Sequence, residues 1–136
     1  MKLNRNANQR KALWKTQLRV LITYGKISTT DSKAKELKRQ FDILVSKAKT
    51  NSVHIRRQLA ATLSSVSSAN RLVDVIAPLF PDRVSGFTTD SKEKIRKGDG
   101  ATVVTLKLMA ELPKAVPVEK KVKPVAKKTT TKKPAK

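Results

Sequence analysis

Three cations spaced four apart, Lys11, Lys15 and Arg19, are the first residues in this chain whose pattern implies a chemistry. On a helix they drift by only about 40° per step and form a ridge along one side. A helix that need only be soluble pairs Lys with Glu at i,i+4, yet no acid occurs before Asp31. Lys33, Lys35, Lys38 and Arg39, with Lys47 and Lys49, make a second basic face, and Arg56 and Arg57 follow it. Ahead of them, Asn4, Arg5, Asn6, Asn8, Gln9 and Arg10 crowd amide and guanidinium donors into one short segment. Such donors suit phosphate oxygens, 2′-hydroxyls and base edges. The chemistry implied is recognition of a polyanion.

The residues that other chemistries need are missing or scattered. The chain has no cysteine, which excludes disulfides, thiolate metal sites and cysteine nucleophiles. His54 is the only histidine and stands beside Arg56 and Arg57 without a partner for a triad or a metal site, so a surface role is expected. The ten acids are dispersed; Asp31 reads as a helix cap and Asp42 as the partner of Lys38 one turn earlier. General acid–base catalysis needs a matched pair in a pocket. No nucleophile elbow, P-loop or dinucleotide fingerprint is present. Neither an enzyme nor a cofactor or metal site is expected.

The elements that must position these cations fit one domain. The 136 residues carry a formal net charge of +21, from 31 Lys plus Arg against 10 Asp plus Glu. So large an excess of one sign opposes compaction unless counter-charge is at hand, and nucleic acid supplies it densely. No apolar run is long enough to span a bilayer, and no apolar region follows the basic start as in a secretory signal. The acid-free first 30 residues superficially resemble a transit peptide in composition alone.

The first helix is read from about Asn8 to Tyr24, with Leu13, Trp14, Leu18, Val20, Leu21 and Ile22 on one apolar arc. Trp14, Phe41 and Phe80 are assigned to the core rather than to base stacking, while Phe87 and Tyr24 stay open. A second helix starts near Asp31 or Ser32, its stripe being Ala34, Leu37, Phe41, Leu44 and Ala48. The third starts at Asn51 or Ser52 with Ile55, Leu59, Thr62 and Leu63 inward, until the serine run at 64–68 breaks it. A fourth is read from about Ala69 to Ala77, stopped by Pro78 and Pro81. Ala101 to Met109 alternates as a half-buried strand entered through the turn Gly98-Asp99-Gly100. Lys26 to Thr30 can pair with it, and Gly86 to Thr89 is short and ambiguous. The expected fold is α+β, about four helices packed with a small three-stranded mixed sheet over residues 1–112. From Pro113 onward the chain has no Leu, Ile or aromatic residue, and nine lysines stand against Glu119. This Lys/Pro/Ala-rich segment, 113–136, is expected to be disordered when free. The body has Arg and Lys, the tail only Lys, so the body should recognise shape and the tail neutralise diffuse charge.

Several strings resemble a known family. Leu3-Asn4-Arg5-Asn6 with Arg10 and Ala12, Thr29-Thr30, and Lys33-Ala34-Lys35-Glu36-Leu37-Lys38-Arg39 resemble the bacterial large-subunit ribosomal protein of the L-seventeen family. So do Ala48-Lys49-Thr50, Ser52-Val53, Arg56-Arg57, Pro78, Asp82-Arg83, Gly86-Phe87-Thr88 and Arg96-Lys97-Gly98-Asp99. The resemblance covers nearly all of residues 3–109 and agrees with the α+β reading. It implies a structural constituent of the large subunit in the cytoplasmic ribosome, without catalysis or cofactor. It further implies binding to large-subunit ribosomal RNA near the outer end of the exit tunnel, beside neighbouring large-subunit proteins, with no membrane or small-molecule partner. Arg5, Arg10, Lys33, Lys35, Lys38, Arg39, Lys49, Arg56, Arg57, Arg83, Arg96 and Lys97 are the RNA contacts it implies. Asn4 and the ridge Lys11, Lys15 and Arg19 are added from donor chemistry and helix projection.

The chain departs from the family at two places. Members usually carry a further basic arm before Leu-Asn-Arg, where Met1 and Lys2 stand here, and Thr89-Asp90 replace an expected Arg and aliphatic residue. Two rival readings compete: a nucleoid-type DNA binder, suggested by the tail, and a membrane-surface protein anchored by helix 1. The stripe on the second helix argues against the latter, because it needs helix 1 as its packing partner.

Overall fold

Helix α1 (Ala7–Tyr24) starts where the Asn6 backbone N–H donates to Gln9 Oε1 at 3.1 Å. It ends at Gly25, whose φ of +71° closes the last turn through its N–H to the Leu21 carbonyl. The computed structural model describes residues 2–112, so the expected tail lies outside the described residues. After α1 come β1 (Lys26–Thr30), α2 (Asp31–Ala48), α3 (Val53–Leu63), α4 (Val66–Arg71), β2 (Thr88–Ile95) and β3 (Thr102–Leu108). A π turn (Leu72–Ile76) and a 3-10 turn (Ala77–Leu79) follow α4. Pro78 accounts for this change of pitch. It has no N–H to donate, and its ring crowds the carbonyl four residues back, so the helix widens and then tightens.

The apolar patterns translate directly into the core. Ala34, Leu37, Phe41, Leu44 and Ala48 are all buried, joined by Leu18, Leu21 and Ile22 of α1 and by Leu59 and Leu63 of α3. Phe80 and Phe87 meet edge to face with ring centroids 5.2 Å apart, and Trp14 packs at the core's margin. Thr62, expected inward, is exposed and donates to the Gln58 carbonyl at 2.9 Å.

Three boundaries differ from expectation. Asp31 is the first helical residue rather than the cap, because Thr30, the last residue of β1, occupies the cap position. Strand runs into helix with no loop between them. The fourth helix opens at Val66 rather than Ala69, since Ser65 Oγ caps it by accepting from the Ser68 N–H at 3.3 Å. β2 extends to Ile95, well past Thr89.

The sheet has the order β1-β3-β2 and is antiparallel throughout, not mixed. β2 and β3 form a hairpin, and β1 pairs the far side of β3 with Ile27 opposite Leu106 and Lys26 opposite Lys107. Val104 and Leu106 face the helices and are fully buried. Among the described residues, no helix is long and apolar enough to cross a membrane.

Candidate nucleic-acid interface

The ridge on α1 is divided between two uses. Lys11 is exposed, and no hydrogen bond to it occurs among the described residues. Lys15 Nζ donates to Ser64 Oγ at 2.9 Å, and Arg19 Nε donates to the Leu63 carbonyl at 2.7 Å. Two of the three cations thus hold the C-terminal end of α3, where carbonyls lack helical partners and the dipole favours positive charge. Arg71, which the sequence reading passed over, does the same for α1 by donating from Nε to the Ile22 carbonyl at 3.0 Å.

Arg56 is fully committed within the protein. Its guanidinium donates to Asn51 Oδ1 and to both carboxylate oxygens of Asp74, tying the start of α3 to the π turn. The same contact raises the Arg56 pKa and lowers that of Asp74, the side-chain hydrogen bond being the main cause of each. Arg57 beside it is exposed and has no partner among the described residues.

Lys49 and Arg83 shape the loop before β2. Lys49 donates to the carbonyls of Pro81 and Arg83 and lies over the Phe87 ring, 5.4 Å from its centroid. Arg83 donates to the Gly86 carbonyl at 3.0 Å and to Met109 Sδ at 2.9 Å. Asp42 does not pair with Lys38. Its two oxygens accept from the Gly86 and Phe87 N–H groups, each at 3.2 Å.

Lys35 and Lys38 stand together at one depression with Asp31 and Asp90. Lys35 bonds Asp31 at 2.8 Å and Lys38 bonds Asp90 at 2.6 Å. The Asp31 hydrogen bond raises the Lys35 pKa, and the Lys38 hydrogen bond lowers that of Asp90. At the hairpin tip Arg96 pairs with Asp99, whose carboxyl is pushed down to about 2 chiefly by that hydrogen bond. These pairs are solvent-exposed and contribute little to stability, so they can exchange partners readily. Lys97, Lys33 and Arg39 make no hydrogen bond among the described residues. In the leading segment, Arg5 donates to the Leu3 carbonyl at 3.3 Å and Arg10 to the Arg5 carbonyl at 2.6 Å, while Asn4 adopts a φ of +49°. The cations thus fall on several elements: α1, α2, α3 and the β2–β3 hairpin.

Charged residues outside the expected set complete the surface. Lys92 and Lys94 lie on the exposed length of β2, and Lys26 and Lys107 face each other across β1 and β3. The alternation of β3 already marked Lys107 as outward; the strand character of 90–95 was hidden. His54 is exposed and shares a hydrogen bond with Gln58. Among the described residues, no cluster of His and acids suits a metal ion.

Comparison with known proteins matches this picture. A family model described as ribosomal protein L17 matches residues 13–109. The chain is similar to large ribosomal subunit protein bL17 of Thermus thermophilus, 40% identical over 109 residues that cover 79% of this chain and 92% of the relative. The bL17 of Nitratidesulfovibrio vulgaris is 40% identical over 121 residues, covering 88% of this chain and 91% of the relative. That of Rubrobacter xylanophilus is 41% identical over 108 residues, covering 79% and 89%. A match of this extent to a basic α+β body places the chain in the ribosomal protein L17 family, whose members are structural proteins of the ribosome and not enzymes.

Proposed function

We propose that this chain binds large-subunit ribosomal RNA and stabilises its fold on the exit-tunnel side of the particle, next to other large-subunit proteins. The observation that carries the RNA reading is the presence of outward cations without an acid partner among the described residues, Lys11, Lys33, Arg39, Arg57 and Lys97 among them. Such residues, held on packed helices and a hairpin, neutralise phosphates where RNA segments converge, and the released counterions supply most of the free energy. Lys35, Lys38, Arg83 and Arg96 join them at little cost, because exposed ion pairs and single carbonyl contacts leave other donors of each side chain free. Arg56 serves chiefly to hold the scaffold. The tunnel-side placement and the protein neighbours rest on family membership alone.

The decisive measurement is affinity for protein-free large-subunit RNA against salt, with duplex DNA as competitor. Log affinity should fall linearly with log salt by about 0.7–0.9 per phosphate contacted, and RNA should win at matched salt. A flat salt response, or equal preference for the DNA, would sink the proposal. Cross-linking within large-subunit particles tests the placement, which fails if no neighbour at the tunnel exit is captured.

A further inference from the structure

Of the five aromatic side chains, Phe41, Phe80 and Phe87 are buried and Trp14 packs against the core, but Tyr24 is 71% exposed. It sits at the C-terminal end of α1, on the rim of an open depression of about 310 Å³. Lys26 and Lys107 share that rim, and Leu108 and Leu112 line it as well. Leu112 approaches so closely that a Cβ on Gly25 would lie 2.9 Å from its Cδ1.

Lys26 and Lys107 are direct cross-strand partners, and both are exposed. Like charges in that position repel, and neither lysine is in an ion pair among the described residues. Protection of a sheet edge explains an exposed lysine on an edge strand. It accounts for Lys26 on β1 but not for Lys107 on β3, which is the central strand. Nor does it account for a tyrosine held in water. Glu111 is the single acid at the rim, so the balance of charge there stays positive.

An exposed aromatic face beside two unpaired cations is the arrangement that takes a base on the ring and phosphates on the ammonium groups. Building on the RNA-binding reading above, we propose that Tyr24 is a stacking platform for one unpaired base of the RNA. Lys26 and Lys107 hold phosphates next to that base. Duplex RNA cannot use the platform, because its bases are already stacked on each other.

The test uses the full chain and protein-free large-subunit RNA, with a blunt RNA duplex as control. Tyr24→Ala should weaken binding to the large-subunit RNA about 5- to 150-fold, the effect of one lost stacking contact, and leave the duplex affinity alone. Its salt slope should match that of the unaltered chain, because no charge has been removed. Tyr24→Phe should restore affinity. Lys26→Ala and Lys107→Ala should each reduce the salt slope by about one. Should the unaltered chain fail to bind the RNA, the broader reading falls together with this one. Should it bind while Tyr24→Ala binds equally well, the platform alone is refuted. The platform is equally refuted if Tyr24→Ala leaves RNA affinity intact but impairs entry into large-subunit particles, since the ring would then face a protein.

Discussion

The Nε of Arg19 donates to the carbonyl oxygen of Leu63 at 2.7 Å, joining residues 44 apart in sequence. A cation on α1 thereby completes the end of α3, and a residue that looks like an RNA contact by spacing is first a clamp between helices. Arg19→Ala should lower unfolding free energy by about 1.5 kcal/mol, the low end for a charge-assisted bond because the site is partly open. Lys11→Ala, two ridge positions away, should stay within about 0.5 kcal/mol. Urea denaturation with an unchanged m-value separates the two. Equal effects would mean the clamp is idle.

Asp42 plays a comparable part for the loop ahead of β2. Its carboxylate receives the Gly86 and Phe87 N–H groups, and Phe87 is fully buried against Phe80. Removing the acceptor strands two amides near the core, so Asp42→Ala should cost about 2 kcal/mol. Hydrogen exchange at Gly86 and Phe87 should accelerate before that of the α2 amides. Unaltered protection at those two positions would contradict the assignment.

Arg56 and Arg57 are neighbours in sequence with opposite employment. Arg56 is bound to Asn51 and Asp74, whereas Arg57 faces water. Arg56→Ala should lower Tm and leave the salt slope of RNA binding nearly intact. Arg57→Ala should leave Tm in place and reduce that slope by about one. The reverse pattern in thermal melts and salt titrations would show the roles exchanged.

The hairpin tip carries a pH signature. The Arg96 guanidinium holds the Asp99 carboxyl at about 2, against an ordinary 3.8. A carboxyl whose folded pKa is depressed contributes in full above its unfolded value and loses that contribution as pH falls through the folded one. The ion pair should therefore persist down to pH values near 2. NMR titration of the Asp99 carboxyl should give that midpoint, and Arg96→Ala should return it toward 3.8. A midpoint at the ordinary value in the unaltered chain would rule the pair out.

Where one face is apolar and the other polar, periodicity locates an element. The Ala34-Leu37-Phe41-Leu44-Ala48 stripe and the Val104-Leu106 alternation both end up buried as read. β2 escaped because Asp90, Lys92, Glu93 and Lys94 put charge on both faces of a strand held by its pairing with β3. The cations were legible by type, but not by employment. Lys38 and Asp42 sit one turn apart and suggest each other, yet Lys38 bonds Asp90 and Asp42 bonds the loop at 86–87. Those partners are more than 40 residues away in sequence, beyond what local spacing can reveal.

The sheet order gives the protein a timetable. β3 lies between β1 and β2, so Lys26–Thr30 has no strand to pair with until Thr102–Leu108 has been synthesised. The nascent chain can assemble its local helices early, whereas closing the sheet must wait for this distant segment. A chain interrupted before residue 102 would leave the β1 edge unsatisfied and open to wrong pairing until β3 arrives to cover it.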